Sequence, residues 1–331
     1  MNYSLLGDTG ISVSRLCFGA LVIGPLQAGM TPDDGAGIIF EAFCYGVNFI
    51  DTAEIYGTYP HVRTAVKLLK EFEDKNRSAE CFSLCGGKQL VIASKSYAYN
   101  EAGARLSLEK ALKEMGLETI DMFLMHEQES SYTLKGHREA FEFYLKAKND
   151  GLIKAVGVST HNVEVVEICA EMPEIDVIHP IINRSGIGMG GKPEAMLTAV
   201  AKAYGNGKGI YGMKALGGGN LVRNAKENLE FVFGLPFVHS IAVGMKTINE
   251  VRMNALIASG HKLPLSIEEA VRSEPKKLHI EYWCTGCGKC TTRCKQGALY
   301  LQDGRAVCIG EKCLLCGYCG TSCEAFAIKV I

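Results

Sequence analysis

Short apolar runs recur along the chain, rich in Val, Ile and Phe, and several close on a polar residue. They are Arg15–Leu21, Asn48–Thr52, Leu90–Lys95, Asp121–His126, Lys154–Ser159, Val177–Asn183, Gly209–Lys214 and Ser240–Lys246. Runs of this kind suit strands buried on both faces. Between them the apolar positions take helical spacing. Glu101–Met115 shows it through Ala104, Leu106, Leu108, Ala111, Leu112 and Met115, and His137–Asn149 and Lys192–Tyr204 are further cases. Eight strands alternating with helices predict an α/β fold whose parallel sheet closes into a (β/α)8 TIM barrel. An open doubly wound sheet is the alternative, but a G-x-G-x-x-G turn normally follows its first strand and none follows here. Ahead of the first run, Asp8-Thr9-Gly10 has the chemistry of a turn, so an N-terminal β-hairpin is expected to plug the barrel's bottom.

After Ile257 the alternation stops. Ser266-Ile-Glu-Glu269 has the form of a capping box opening a short helix. The chain thus divides into a barrel over residues 1–262, a helical linker over 263–277 and a small α+β unit over 278–331.

That last unit carries two equal cysteine runs. The first is Cys284, Cys287, Cys290 and Cys294; the second is Cys313, Cys316, Cys319 and Cys323. Both follow C-x2-C-x2-C-x3-C, the spacing of two-cluster iron–sulfur proteins. Three closely spaced thiolates wrap one [4Fe–4S] cube, and the fourth reaches the other cube. Cys284, Cys287, Cys290 and Cys323 are therefore assigned to one cluster, and Cys313, Cys316, Cys319 and Cys294 to the second. Zinc is the alternative, since C-x2-C also suits it. The segment resembles the bacterial two-[4Fe–4S] ferredoxin domain, except that Lys295 and Glu324, not proline, follow the fourth cysteines. Of the other thiols, Cys17, Cys44 and Cys169 lie in apolar stretches and read as core, Cys81 and Cys85 as surface, and Cys308 as a neighbour of the second run.

Net charge is −1 over 331 residues, which makes no case for nucleic acid or membrane as a partner. From Pro275 onward, eight Lys and Arg stand against four Asp and Glu, an excess suited to offsetting thiolate clusters. No apolar run is long enough to span a membrane. The first residues lack the pattern of a secretory signal, so a cytoplasmic location is expected.

In a barrel, chemistry belongs at the C-terminal ends of the strands. Asp51 closes the second run, Tyr56 follows it, Lys95 closes the third and His126 the fourth. A carbonyl oxygen needs a proton as hydride reaches its carbon. A tyrosine is a weak acid near neutrality unless a neighbouring ammonium favours its phenolate. Lys95, held by Asp51, is expected to do this for Tyr56, and His126 to orient the carbonyl.

Asp51-Thr-Ala-x-x-Tyr56-Gly together with the strand-end Lys95 and His126 resembles the tetrad of the aldo-keto reductase family, over about residues 1–260. Gly7–Gly19 and Gly244–Asn254 are similar to further family segments. The resemblance implies Tyr56 as general acid, a small carbonyl substrate and NADP or NAD as cofactor. It places Ser159 and Asn183 on the nicotinamide amide and Gly244, Lys246 and Asn254 at the adenosine end, while Gly217 and Gly218, within Gly217–Gly219 after the seventh strand, would let backbone approach a pyrophosphate. The chain departs from the family pattern at Met213, where tyrosine is usual, at Lys214, at His179 and at Glu250, whose carboxylate would repel a 2′-phosphate.

Clusters pass single electrons whereas nicotinamide carries pairs, so FMN is a further candidate cofactor. Its phosphate would sit at Lys214 and the glycine turn. Three functions follow. One is a carbonyl oxidoreductase with the clusters as conduit, served by an external electron-transfer partner such as ferredoxin or flavodoxin. The second is an NAD(P)-dependent reductase whose cluster unit is structural or a docking unit. The third is an electron-transfer or redox-sensing protein on a degenerate barrel.

Overall fold

The structure, a computed structural model, describes residues 1–75 and 84–331. Strands β1 (Tyr3–Leu5) and β2 (Ser12–Ser14) form the antiparallel hairpin. Eight parallel strands then close a barrel: β3 (Leu16–Gly19), β4 (Phe49–Asp51), β5 (Val91–Ser96), β6 (Ile120–Met125), β7 (Ile153–Thr160), β8 (Val177–Pro180), β9 (Gly209–Met213) and β10 (Ser240–Gly244). Each lies within one of the expected runs or within one residue of it. The helix Glu101–Met115 has its predicted ends, opened by the Asn100 side chain and closed by Gly116 in the left-handed region. Among the described residues no helix is long and apolar enough to cross a membrane.

The barrel's inside is a packed core. Cys17, Phe49, Val91, Ala93, Met122, Leu124, Ala155, Val177, Tyr211 and Ala242 fill it, and Leu6, Ile11 and Val13 of the hairpin region close it from below. Backbone bonding seals that plug, with the Asp8 N–H donating to the Gly207 carbonyl at 2.9 Å. Strand side chains repeat every second residue. Moving two residues up from this core gives the next inward layer: Gly19, Asp51, Lys95, His126, His179, Met213 and Gly244, with Ser159 four residues above Ala155. The candidate site is this topmost layer.

A helix over Leu265–Ser273 follows the barrel. The expected capping box is not formed. The helix starts two residues earlier, with Pro264 as its N-cap and no side-chain cap, so Ser266 sits inside the first turn. The C-terminal unit pairs β11 (Leu278–Ile280) with β14 (Ile328–Val330), and β12 (Leu299–Gln302) with β13 (Arg305–Cys308), beside short helices at Lys289–Arg293 and Tyr318–Thr321.

Two thiols differ from expectation. Cys44 ends its helix on the exposed side, and Cys85 is buried, where its carbonyl accepts from the Tyr3 hydroxyl at 3.2 Å. Cys81 lies outside the described residues.

Candidate active site and cysteine unit

At the barrel mouth the Lys95 ammonium reaches both oxygens of Asp51, at 2.7 and 2.8 Å, and the Thr52 carbonyl at 2.8 Å. The pair is nearly closed to solvent. Asp51 also accepts from the Tyr211 hydroxyl at 3.0 Å. His179 stacks on Tyr211 with ring centroids 3.8 Å apart, and its Nε2 lies 3.7 Å from Asp51. Tyr211 and His179 thus brace the carboxylate from behind. The signal for Tyr211 was its place two residues below Met213 on the same strand.

Lys95 lies 4.8 Å from the centre of the Tyr56 ring. The expected lowering of the phenol is not seen. Burial, then the charge of Asp51, push Tyr56 well above the usual tyrosine range. The Lys95 charge is already matched by Asp51, so the site favours the neutral phenol, the form that can give a proton.

His126 meets Tyr56 edge-on, with centroids 5.6 Å apart, and stacks on Tyr97 at 4.3 Å. Burial, then Lys95, hold it well below the usual histidine range, and its Nδ1 has no hydrogen-bond partner among the described residues. The neutral ring is the form present near neutral pH. Beyond it, Tyr97 donates to Glu127, and His161 Nδ1 lies 3.3 Å from the other Glu127 oxygen. Burial would raise Glu127, but His161 and the Tyr97 hydroxyl hold it below the usual carboxylate range. Reading strand ends found His126 and missed Tyr97, Glu127 and His161, each one or two residues past such an end.

Two cavities meet here. One, of about 180 Å³, runs from Asp51, Tyr56 and Met213 past Gly218, Gly219 and Gly244 to Lys246 and Glu250. The other, of about 800 Å³, lies between the mouth and the C-terminal unit, lined by Tyr56, Tyr97, His126, Ser159, Lys214, Trp283, Cys323, Phe326 and Lys329 among others. Small-molecule sites span about 300–1,000 Å³, so the larger has room for a substrate, while the smaller is tighter than a usual ligand site.

The expected cofactor residues divide. Asn254 is buried with its amide oxygen unpartnered among the described residues, which suits a donor such as an adenine amino group. Glu250 accepts from the Lys246 N–H at 2.7 Å, and Lys246 Nζ donates to the Pro275 carbonyl at 3.3 Å. The Ser159 hydroxyl accepts from the Glu127 N–H at 2.7 Å and still borders the larger cavity.

Asn183 instead turns into its own loop. It donates to the Ile187 carbonyl and accepts from the N–H groups of Ser185 and Ile187, leaving little for a nicotinamide. The glycine turn is also committed elsewhere. The Gly218 carbonyl accepts from the Val330 N–H at 3.1 Å, and a Cβ on Gly219 would lie 1.8 Å from the Val330 carbonyl oxygen. Gly218 and Gly219 therefore dock the C-terminal strand, and the turn expected to lie open for a pyrophosphate or an FMN phosphate is partly spent within the chain, though both still border the first cavity. That role was invisible beforehand because the partners lie more than a hundred residues apart.

A family model for the aldo/keto reductases matches residues 15–234. The chain belongs to the aldo/keto reductase family. It is 25% identical over 154 residues to an L-galactose dehydrogenase of Arabidopsis thaliana, 46% of this chain and 47% of that protein. It is 28% identical over 181 residues to a probable aldo-keto reductase of Glycine max, 53% of this chain and 48% of that protein. The chain thus spans about half the length of these curated relatives. A crystal structure of a putative aldo-keto reductase from Pseudomonas aeruginosa superposes with a TM-score of 0.63 at 25% identity, covering 78% of this chain and 95% of that one. Family members are oxidoreductases, generally NAD(P)-dependent.

The C-terminal unit of this aldo/keto reductase lies beyond the matched residues. Cys284, Cys287, Cys290 and Cys323 line one small cavity with Gly286 and Gly288. Cys319 lies near Cys313 and Cys316, and Cys308 contacts Cys313 and lies near Cys294. The two halves repeat in backbone as well as spacing. Gly286 and Leu315, Gly288 and Gly317, and Gly297 and Phe326 hold equivalent places and all take positive φ. The Ala298 N–H points at Cys294 Sγ at 3.4 Å, and the Ala327 N–H at Cys323 Sγ at 3.3 Å. Among the described residues no three His, Cys, Asp or Glu side chains converge as ligands of a single ion.

Proposed function

We propose that this chain is an oxidoreductase interconverting a carbonyl and an alcohol at the barrel mouth, and that its eight paired cysteines hold two [4Fe–4S] clusters that exchange electrons with that site. The observation carrying the proposal is that Cys323, in the four-cysteine cavity, also lines the cavity holding Tyr56 and His126. The duplicated backbone and the N–H groups aimed at Cys294 and Cys323 suit thiolates bound to a cluster. Cysteines that share a cavity without converging on one point suit a four-iron cube better than zinc.

A bound reduced nicotinamide would supply hydride, and the clusters single electrons. The cavity running from Tyr56 to Lys246 and Glu250 would take the dinucleotide. The chain does the rest. Tyr56 gives its proton to the carbonyl oxygen as the carbon–oxygen π bond breaks, and regains one from solvent. Asp51 and Lys95 keep the charge behind it balanced, and neutral His126 and Tyr97 shape the pocket for the carbonyl. A ferredoxin- or flavodoxin-like protein would exchange electrons with the outer cluster.

One observation favours a second reading. The Gly218–Val330 bond and the Lys246–Pro275 contact make the C-terminal unit a roof over the dinucleotide cavity, which would serve a purely structural cluster domain. Anaerobic visible spectra of the parent and of Tyr56→Phe, before and after NADPH or NADH, separate the two. Bleaching of the sulfur-to-iron bands in both proteins, with turnover lower by about 10²–10⁴ in Tyr56→Phe, is expected. Clusters that bleach with dithionite but never with nicotinamide would end the conduit reading.

A further inference from the structure

We infer that Lys214 is the anchor of an anion subsite, and that the site takes carbonyl compounds carrying a carboxylate close to the reacting carbon. This names a substrate class for the proposed reaction and rests on that reading. Lys214 stands one residue past the end of β9, next to Met213 in the topmost inward layer. It is a non-glycine residue at φ +61°, a conformation that costs free energy and is kept where the surroundings require it. It borders both cavities, as do Tyr56 and Met213, and so stands at their junction.

Its ammonium has no hydrogen bond or ion pair among the described residues. The nearby carboxylates are engaged elsewhere. Glu127 spends one oxygen on Tyr97 and the other on His161, and Glu281 faces His279 at 3.2 Å. The Lys214 charge still acts on His126, His161 and His179.

A second amine lies beside Lys214, held well below the usual lysine range by burial and then by the Lys214 charge. Lys329 is 2% exposed, and its Nζ donates to the Phe326 carbonyl at 2.5 Å. Both amines lie near the Phe326 ring, Lys329 at 2.9 Å and Lys214 at 5.3 Å from its centre. The ring steadies them without neutralising them. Cys323 and a cluster beside it would account for Lys329. Lys214 stands at the junction with Tyr56, where burial lowers it and the charges of Glu127, Glu281 and Asp51 support it without a direct bond to any of them. A carboxylate there would make a charge-assisted bond.

The anion on Lys214 could belong to a substrate or to the cofactor's phosphates, and the test separates them. Oxamate, an unreactive mimic of a small 2-oxo acid, is titrated calorimetrically into the intact protein and into Lys214→Met and Lys214→Arg. Methionine keeps an unbranched side chain and leaves the backbone strain as it was. NADPH and NADH binding are measured alongside by fluorescence. The expected result is saturable oxamate binding, weakened about tenfold or more by Met and largely kept by Arg, with nicotinamide affinity unchanged. Parent protein that fails to bind oxamate would overturn the inference. So would a Met variant that loses nicotinamide affinity but binds oxamate as before, which would give Lys214 to the cofactor. Binding needs no turnover, so oxamate held normally by a protein that reduces no carbonyl would sink the proposed reaction and leave the subsite standing.

Discussion

The barrel and the C-terminal unit reach a folded state by different means. The barrel buries a large apolar shell between strands and helices and a second core inside the strands. Its site residues are the top layer of that packing, so their geometry comes with the fold. The buried core of the C-terminal unit is Cys290, Leu299, Ala306, Cys319 and Ile328, two of them the cysteines of proposed clusters. Chains of this size rarely stay folded on such a core without metal, disulfide or partner. The barrel can afford a strained Lys214 and buried charges at its mouth. On the proposed reading, the smaller unit depends on the clusters its cysteines would hold and on the surface it docks against.

The strongest way to break this contrast is to remove a cysteine from the four-cysteine cavity. Cys290→Ala should abolish the visible absorption of one cluster and unfold the C-terminal unit, while the barrel's melting temperature moves by a few degrees at most. Limited proteolysis would read this as rapid cutting after about residue 274 and a stable N-terminal fragment. A variant that keeps its full absorption and resists cutting would show that the small unit stands by packing alone.

A smaller effect tests the docking. Gly219 has φ +84°, and a Cβ there would lie 1.8 Å from the Val330 carbonyl oxygen; Gly260 has φ +70° with nothing within 4 Å. Gly260→Ala should cost only the backbone term, about 1 kcal/mol. Gly219→Ala should cost more and expose the linker to protease. Equal losses from both would mean that the Gly218–Val330 contact does not hold the unit.

The sequence exposed the two regions unequally. All eight barrel strands could be located because buried parallel strands write themselves as apolar runs, and Asp51, Lys95 and His126 because barrel sites fall at strand ends. The cysteine spacing was equally open. What stayed hidden comes from contacts across long separations. Val330 on Gly218 and Phe326 in the mouth have no periodic signature. Asn183 and the glycine turn were misjudged for the same reason: a side chain or turn suited to a ligand can instead be used by the chain itself. Cys44 and Cys85 show that the polarity of the neighbouring sequence does not settle which side of an element faces inward.

The smallest test uses pH, because acid should act on the barrel mouth before the C-terminal unit. Burial lowers His161 to about 4 and His179 to about 3, and holds His126 well below its usual range. In the unfolded chain each would titrate near 6.5. Between about pH 6.5 and 4 the unfolded chain therefore binds more protons than the folded one, so stability falls as the pH drops, by at most ~1.4 kcal/mol per pH unit for each histidine. Glu127, held below its usual range, adds loss of the same sign, but only below about pH 4.3. Urea unfolding of the parent and of His161→Gln across pH 7 to 4.5 isolates one of these groups. The parent's stability should decline over that range, and the variant's should decline less steeply. Parallel curves would mean that His161 takes up its proton without cost in the folded protein, and that the mouth is more open to water than its packing shows.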